Sequence, residues 1–564
     1  MTGVLAFCVF VVTAGFLGCF FLWPIWEIIQ GGFFNVDGQF TLGFFEIIFH
    51  NRVYIDGLLN SAGLGLLSTL ISLLIAMPLA YFTDRYRFPL KKTLTSIILL
   101  PIMLPPFVGT IGIQQIFGTY GVLNAMLLKF GLIEPGNYID WLGSNKFIGI
   151  ALMNALSLYP ILYLSLVAAL ANIDPSLEEA AGNLGCRGLK RFFRITFPLL
   201  RPGIFAGCTL IFIWSFTELG VPLMFDYNLV TPVQIYFGLK DIGNNPLPFA
   251  LVSVMLIFSI LFYILGKGLL GRQNFSMMAK STHMSGPKTI SVFKQLLCVG
   301  SFLMTILASL LPHLAVVIKS FSADWYNSIF PEIFVLENYK CALSHPLTVP
   351  SIKNSLIYSS AATIGTILLG TAIAFVVVRT KLPGRHLLDA LSMLPLAVPG
   401  LVMAFGYLAM TQTGRSFEIL NPIENPTILL IIAYVVRKIP FAVRSAMAGL
   451  QQTSITYEEA AQCLGCHPFK TSLKITLPLI MANLMSGGLL VFSQAMLEVS
   501  DSIVLAQKQQ YYPITKAIYE LMHMLSDGPF LACALGVWAM TFLAVTVIGA
   551  SSIMGKSFGT IFRV

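Results

Sequence analysis

The chain has 564 residues, of which 56 % are hydrophobic and only 10 % charged, and its mean hydropathy is +0.82. That excludes a soluble globular protein, in which charged residues make up about a quarter. The net charge of +9 lies in loops between apolar runs of roughly 20 residues, the length that crosses a bilayer as helix. It therefore reads as the cytoplasmic face of a membrane protein and not as a nucleic-acid surface.

The apolar run from Val4 to Trp23 has no basic region before it and is too long for the core of a signal peptide, so it is expected to be the first span. Cys19, after Phe16-Leu17-Gly18, is a poor lipidation site. Spans of the first half are expected near 4–27, 57–82, 94–118, 147–171, 203–222 and 248–270. Arg85, Arg87, Lys91 and Lys92 place the loop after the second span in the cytoplasm, whereas 30–56, 119–146 and 223–247 carry few basic residues and fall outside. A polar stretch, 271–294, with Lys280, Lys288 and Lys294, reads as a cytoplasmic linker. Six more spans follow near 295–318, 354–378, 388–411, 427–450, 484–506 and 530–554. The fold class is all-α, a polytopic membrane protein of two tandem six-helix repeats with about 12 transmembrane helices. Its expected divisions are 1–270, the linker 271–294, and 295–564.

The halves are duplicates. Asn60, Arg85, Pro89, Pro101 and Pro105 recur as Asn354, Arg379, Pro383, Pro395 and Pro399, at an offset of 294. Beyond the third span the offset becomes 280, because the loop there is 14 residues longer in the first half. At that second offset Glu178-Glu179-Ala180-Ala181, with Gly185 and then Ile195-Thr196-Phe197-Pro198, recurs as Glu458-Glu459-Ala460-Ala461, with Gly465 and then Ile475-Thr476-Leu477-Pro478. Each copy predicts a short helix, a turn and a second short helix. Ser176 and Thr456 stand three residues before Glu179 and Glu459, the spacing of a capping box. The Ala pairs leave a helix face without bulk, and Gly185 and Gly465 fall where a helix ends in a left-handed residue. The Cys463-x-x-Cys466 spacing lies inside this loop and lacks a second ligand pair, so no redox or metal role is expected of it, nor a disulfide framework of the nine scattered cysteines.

Charge inside a membrane is costly and hence informative. Glu218 matches Glu498, with Asp501 close behind, toward the outer ends of the fifth spans. Two readings stand: a pair of carboxylates across a translocation path that favours a cation, or carboxylates that hydrogen-bond backbone at a helix end. Arg437, Lys438 and Arg444 lie on the tenth span, where the first half has Ser157, Leu158 and Leu164. They read either as groups that meet an anionic part of a substrate or pair with Glu218 or Glu498, or as an extension of the basic cytoplasmic belt.

The paired loops, 174–202 and 453–482, resemble the E-A-A signature loops of ATP-binding-cassette (ABC) importer permeases, and the whole chain resembles the fused double permeases of the ferric-iron, thiamine and phosphonate branch. The resemblance implies that Glu179, Ala180, Ala181 and Gly185, with Glu459, Ala460, Ala461 and Gly465, form coupling helices that dock on two copies of a separate cytoplasmic ATPase. It implies a periplasmic or lipid-anchored binding protein, alternating access, and a place in the bacterial inner (plasma) membrane. ATP and magnesium would sit on the ATPase; this chain has no phosphate-binding G-x-x-x-x-G-K-[ST] loop and no catalytic or metal-binding grouping, so neither enzyme activity nor a bound cofactor is expected. Glu218, Glu498, Asp501 and Arg437 are the path candidates. Ferric iron is the first substrate expectation, with thiamine, phosphonate or polyamine as alternatives. An ion-coupled secondary transporter of six plus six spans is the alternative class.

Overall fold

A computed structural model of the chain describes residues 3–34, 38–143, 146–239, 245–270 and 288–554. Most of the expected linker, 271–287, lies outside the described residues. Among the described residues, apart from a two-residue parallel pairing of Tyr86–Arg87 with Lys288–Thr289, regular structure is helical, which satisfies the backbone internally in lipid.

The first half contributes α1 (Ala6–Phe33), α2 (Arg52–Arg85), α3 (Pro106–Lys129), α4 (Phe147–Ala171), the short α5 (Pro175–Asn183), α6 (Gly188–Phe216) and α7 (Leu247–Leu265). The second contributes α8 (Val292–Ser320), α9 (Thr348–Arg379), α10 (Arg385–Leu396), α11 (Gly400–Met410), α12 (Thr427–Gln452), the short α13 (Thr456–Cys463), α14 (Pro468–Met496), α15 (Ser500–Leu505), α16 (Ile514–Met522) and α17 (Gly528–Gly549). Among the described residues ten helices are long and apolar enough to span, and α10 with α11 makes an eleventh, bent by 103°. α12 has the length, but every stretch of it long enough to cross contains Arg437, Lys438 and Arg444. Six helical passes per half follow.

The third span of each half, expected near 94–118 and 388–411, is a broken helix. In the first half a helix ends at Ile97, a 3-10 turn covers Leu100–Met103, and α3 starts at Pro106. Pro101 and Pro105, like Pro395 and Pro399, remove backbone donors, and Leu104 before Pro105 is extended, so α-helix cannot run through.

Packing divides the described chain into two compact units that do not coincide with its halves. One holds 1–57, 231–256 and 336–564; the other holds 58–230 and 257–335. Within the first unit, α1 packs on α9 and α11: the Tyr407 hydroxyl donates to the Phe20 carbonyl at 2.8 Å, and Glu27 meets Arg415 at 3.1 Å. A Cβ on Gly406 would stand 2.8 Å from Pro24. Within the second unit α8 packs on α3, with the Pro312 carbonyl seated directly against Gly112. Gly112 and Gly406 are the same position of the repeat, at the offset of 294. Each half therefore sends its opening span to the third span of the other, and a glycine at the crossing lets the backbones touch.

Candidate functional site

The two signature loops fold alike. α5 begins at Asp174, whose carboxylate accepts the Ser176 N–H at 2.9 Å, with Pro175 in the first turn. α13 begins at Ile455, and the Ser454 hydroxyl accepts the Thr456 N–H at 3.3 Å. In place of the capping boxes expected of Ser176 and Thr456, Asp174 caps α5, while at α13 the cap position is Ile455 and the Ser454 hydroxyl before it takes the Thr456 N–H. Gly185 and Gly465 end the helices at φ +80 and +83, and Cys186 and Cys466 donate back to the carbonyls of Ala181 and Ala461. That closure needs a residue at ease with positive φ, as the sequence anticipated. Beyond each turn lies a π-helical segment, Phe192–Thr196 and Ser472–Thr476, just before Pro198 and Pro478.

The first glutamate of each pair is the anchor. Glu178 is buried and accepts from Arg85 and from the Thr196 hydroxyl, both at 2.8 Å. Glu458, equally buried, accepts from Arg379 Nε at 2.9 Å, and Arg379 also holds the Thr453 carbonyl. The second glutamates, Glu179 and Glu459, are exposed, as are Ala180 and Ala460, while Ala181 and Ala461 pack inward. Leu184 and Leu464 stand 88 % and 89 % exposed at the helix ends. Each loop thus presents a small-residue face with a bare leucine, clamped by an ion pair to the end of α2 or α9.

The intramembrane charges separate. The Glu218 carboxylate accepts from the N–H groups of Gly220 and Val221 at 3.0 and 3.3 Å, at the bend after α6. Glu498, its repeat partner, binds the Arg437 guanidinium and, at 3.0 Å, the Lys438 ammonium. Asp501 receives Arg437 at 3.4 Å. Three of these four groups are under 10 % exposed; Arg437 keeps 21 %. The cluster ties α12 to the bend after α14, and the Thr515 hydroxyl of α16 binds the Glu498 carbonyl at 2.7 Å. The Arg437 guanidinium lies over Gly400 with no room for a Cβ. Ile503 and Val504 of α15 line a 610 Å³ cavity with Tyr236, Gln412, Asn421 and Gln507, among others.

The sequence pattern described as "Binding-protein-dependent transport system inner membrane component" matches residues 68–275 and again 366–551. The chain belongs to this family. The permease is similar to a putative ferric transport system permease protein of Haemophilus influenzae, 29 % identical over 80 % of this chain and 70 % of that protein. A ferric transport system permease protein of Actinobacillus pleuropneumoniae is also 29 % identical, over 80 % of this chain and 64 % of its own length. A spermidine/putrescine transport system permease protein of Escherichia coli is 30 % identical over 36 % of this chain and 74 % of its own. With two family matches and its apolar helices, the permease is a multi-pass inner-membrane transport subunit.

Of the residues singled out in the sequence, the structure brings Arg437, Glu498 and Asp501 into one cluster and leaves Glu218 on backbone donors. Sequence reasoning passed over Glu178 and Glu458 in favour of their neighbours. A signal was present: the permease repeats both a carboxylate, Glu178/Glu458, and an arginine, Arg85/Arg379, at the two repeat offsets.

Proposed function

We propose that this permease is the membrane subunit of an ABC importer for ferric iron, fed by a binding protein and driven by two copies of a separate ATPase. Support for the coupling role comes from the paired loops: two matched, capped helices, each offering a bare alanine and leucine and each clamped by a buried ion pair that would carry a push into a span. The iron assignment is supported by the ferric relatives, whose similarity runs over 80 % of the chain, against 36 % for the polyamine relative. Glu218, Glu498, Asp501 and Arg437 are our path candidates; a passing cation would compete with Arg437 and Lys438 for Glu498 and with Arg437 for one oxygen of Asp501.

Proteoliposomes holding the permease, the ATPase and the binding protein should take up iron with ATP and not with an ion gradient alone; uptake driven by the gradient would overturn the assignment. Replacing Ala180 or Ala460 with a bulky residue, or reversing Glu179 or Glu459 to Lys, should weaken co-purification of the ATPase, by about 1–3 kcal/mol for a paired carboxylate. The second loop lacks the basic run Arg187 to Arg194, so its electrostatic share of docking should be smaller.

A further inference from the structure

We propose that Tyr120, Tyr138 and Tyr326 form a contact site for the ferric ion on the outer loops, an oxygen ligand set that meets the cargo before it enters the membrane. The proposal rests on the ferric reading above and adds a site to it. All three residues lie in one compact unit: Tyr120 at the break between Phe117 and Val122 within α3, Tyr138 in the segment after α3, and Tyr326 in the loop after α8. The Tyr120 ring stacks on that of Tyr326, centroids 4.7 Å apart and planes 28° apart, and meets Tyr138 edge-on at 5.2 Å.

The loop that carries Tyr326 is held in place. Trp325 beside it is buried, its carbonyl takes the Gln115 side chain at 2.8 Å and its indole N–H donates to the Ser328 carbonyl at 3.1 Å. Asn327 adopts φ +49, donates its backbone N–H to the Tyr120 carbonyl at 3.0 Å and its side-chain amide to the Tyr138 hydroxyl at 3.2 Å. A left-handed asparagine that binds both other tyrosine segments fixes the three rings against one another. Packing alone gives a weak reason for the arrangement, since Tyr120 and Tyr326 remain 46 % and 60 % exposed. Rigid, exposed and clustered phenol side chains suit a ligand.

Ferric iron is a hard trivalent cation that favours anionic oxygen donors, and a tyrosine phenolate is one that proteins use for it. Each phenol that ligates the ion releases its proton to water, so three phenolates carry three negative charges and balance the charge of the ion. No electron is transferred. A polyamine would instead use the ring faces, through cation–π attraction that needs no hydroxyl. Tyrosine-to-phenylalanine substitution separates the two, because it removes the oxygen and keeps the ring.

The assembled importer in nanodiscs, titrated with ferric nitrilotriacetate, should develop a visible phenolate-to-iron charge-transfer absorption. Tyr120→Phe, Tyr138→Phe and Tyr326→Phe combined should abolish the band and lower ATP-driven iron uptake by about tenfold or more, the scale seen when groups supporting a metal site are removed. ATPase co-purification should be unchanged, which shows that the variant is folded and assembled. A band that persists in the triple variant, or iron uptake at the unsubstituted rate, overturns the site while leaving the ferric reading intact. No iron uptake by the unsubstituted importer overturns the ferric reading itself. Spermidine binding that survives the three phenylalanines and is lost on alanine substitution would assign the cluster to cation–π recognition and overturn the iron site.

Discussion

The same substitution at the two repeat-related glutamates should have unequal consequences. Glu498 stands between Arg437 and Lys438, with Asp501 completing a group of two cations and two carboxylates that is neutral when all are ionised. Glu498→Gln leaves two cations facing one carboxylate in a site where Asp501 is 0 % exposed. Removing one partner of a buried ion pair costs about 3–5 kcal/mol. Glu218→Gln keeps an amide oxygen that can still accept from Gly220 and Val221, so the loss should be about 1 kcal/mol, the difference between a charged and a neutral acceptor. Two buried cysteines report the units separately: Cys533 belongs to the unit with the cluster and Cys298 to the other. On heating in nanodiscs, thiol labelling mapped by mass spectrometry should reach Cys533 at clearly lower temperature in Glu498→Gln and leave Cys298 little changed. Adding Lys438→Met restores neutrality and should recover much of the loss. A Glu218→Gln variant as damaged as Glu498→Gln, or a double variant no better than the single, would refute the charge-balance argument.

Gly112→Ala should force α3 away from the Pro312 carbonyl, cost about 1–3 kcal/mol, and expose Cys298 to labelling at lower temperature. Gly300→Ala in α8, where nothing stands within 4 Å, is the control and should change nothing. Arg379→Ala should leave Glu458 buried without its cation and loosen α13, read as faster proteolysis at Gln452 to Ser454 and a loss of ATP-driven uptake; removing both Arg379 and Glu458 should restore part of the protease resistance.

Helix positions, the duplication and the coupling loops were legible in the sequence because each rests on local or periodic information. A run of apolar residues the width of a bilayer needs no partner to be recognised as a span. Gly185 and Gly465 announce a left-handed turn through the one residue type that adopts it without strain. Even the breaks of the third spans were written in Pro101, Pro105, Pro395 and Pro399, although a hydropathy reading runs over them.

Pairing was left to the tertiary structure. Nothing local says that α1 leaves its own half to pack on α9 and α11, since an apolar helix carries little record of which apolar neighbour it will meet; the close crossings at Gly406 and Gly112 decide it through backbone contact. Nor could spacing tell that Glu178 and Glu458 turn inward while Glu179 and Glu459 face water, because the choice depends on arginines 93 and 79 residues away. Arg437 and Glu498 lie 61 residues apart and pair only because α12 and the bend after α14 meet. In lipid, where burial favours every apolar face equally, it is these few polar contacts and tight glycine crossings that select one arrangement of the spans from many.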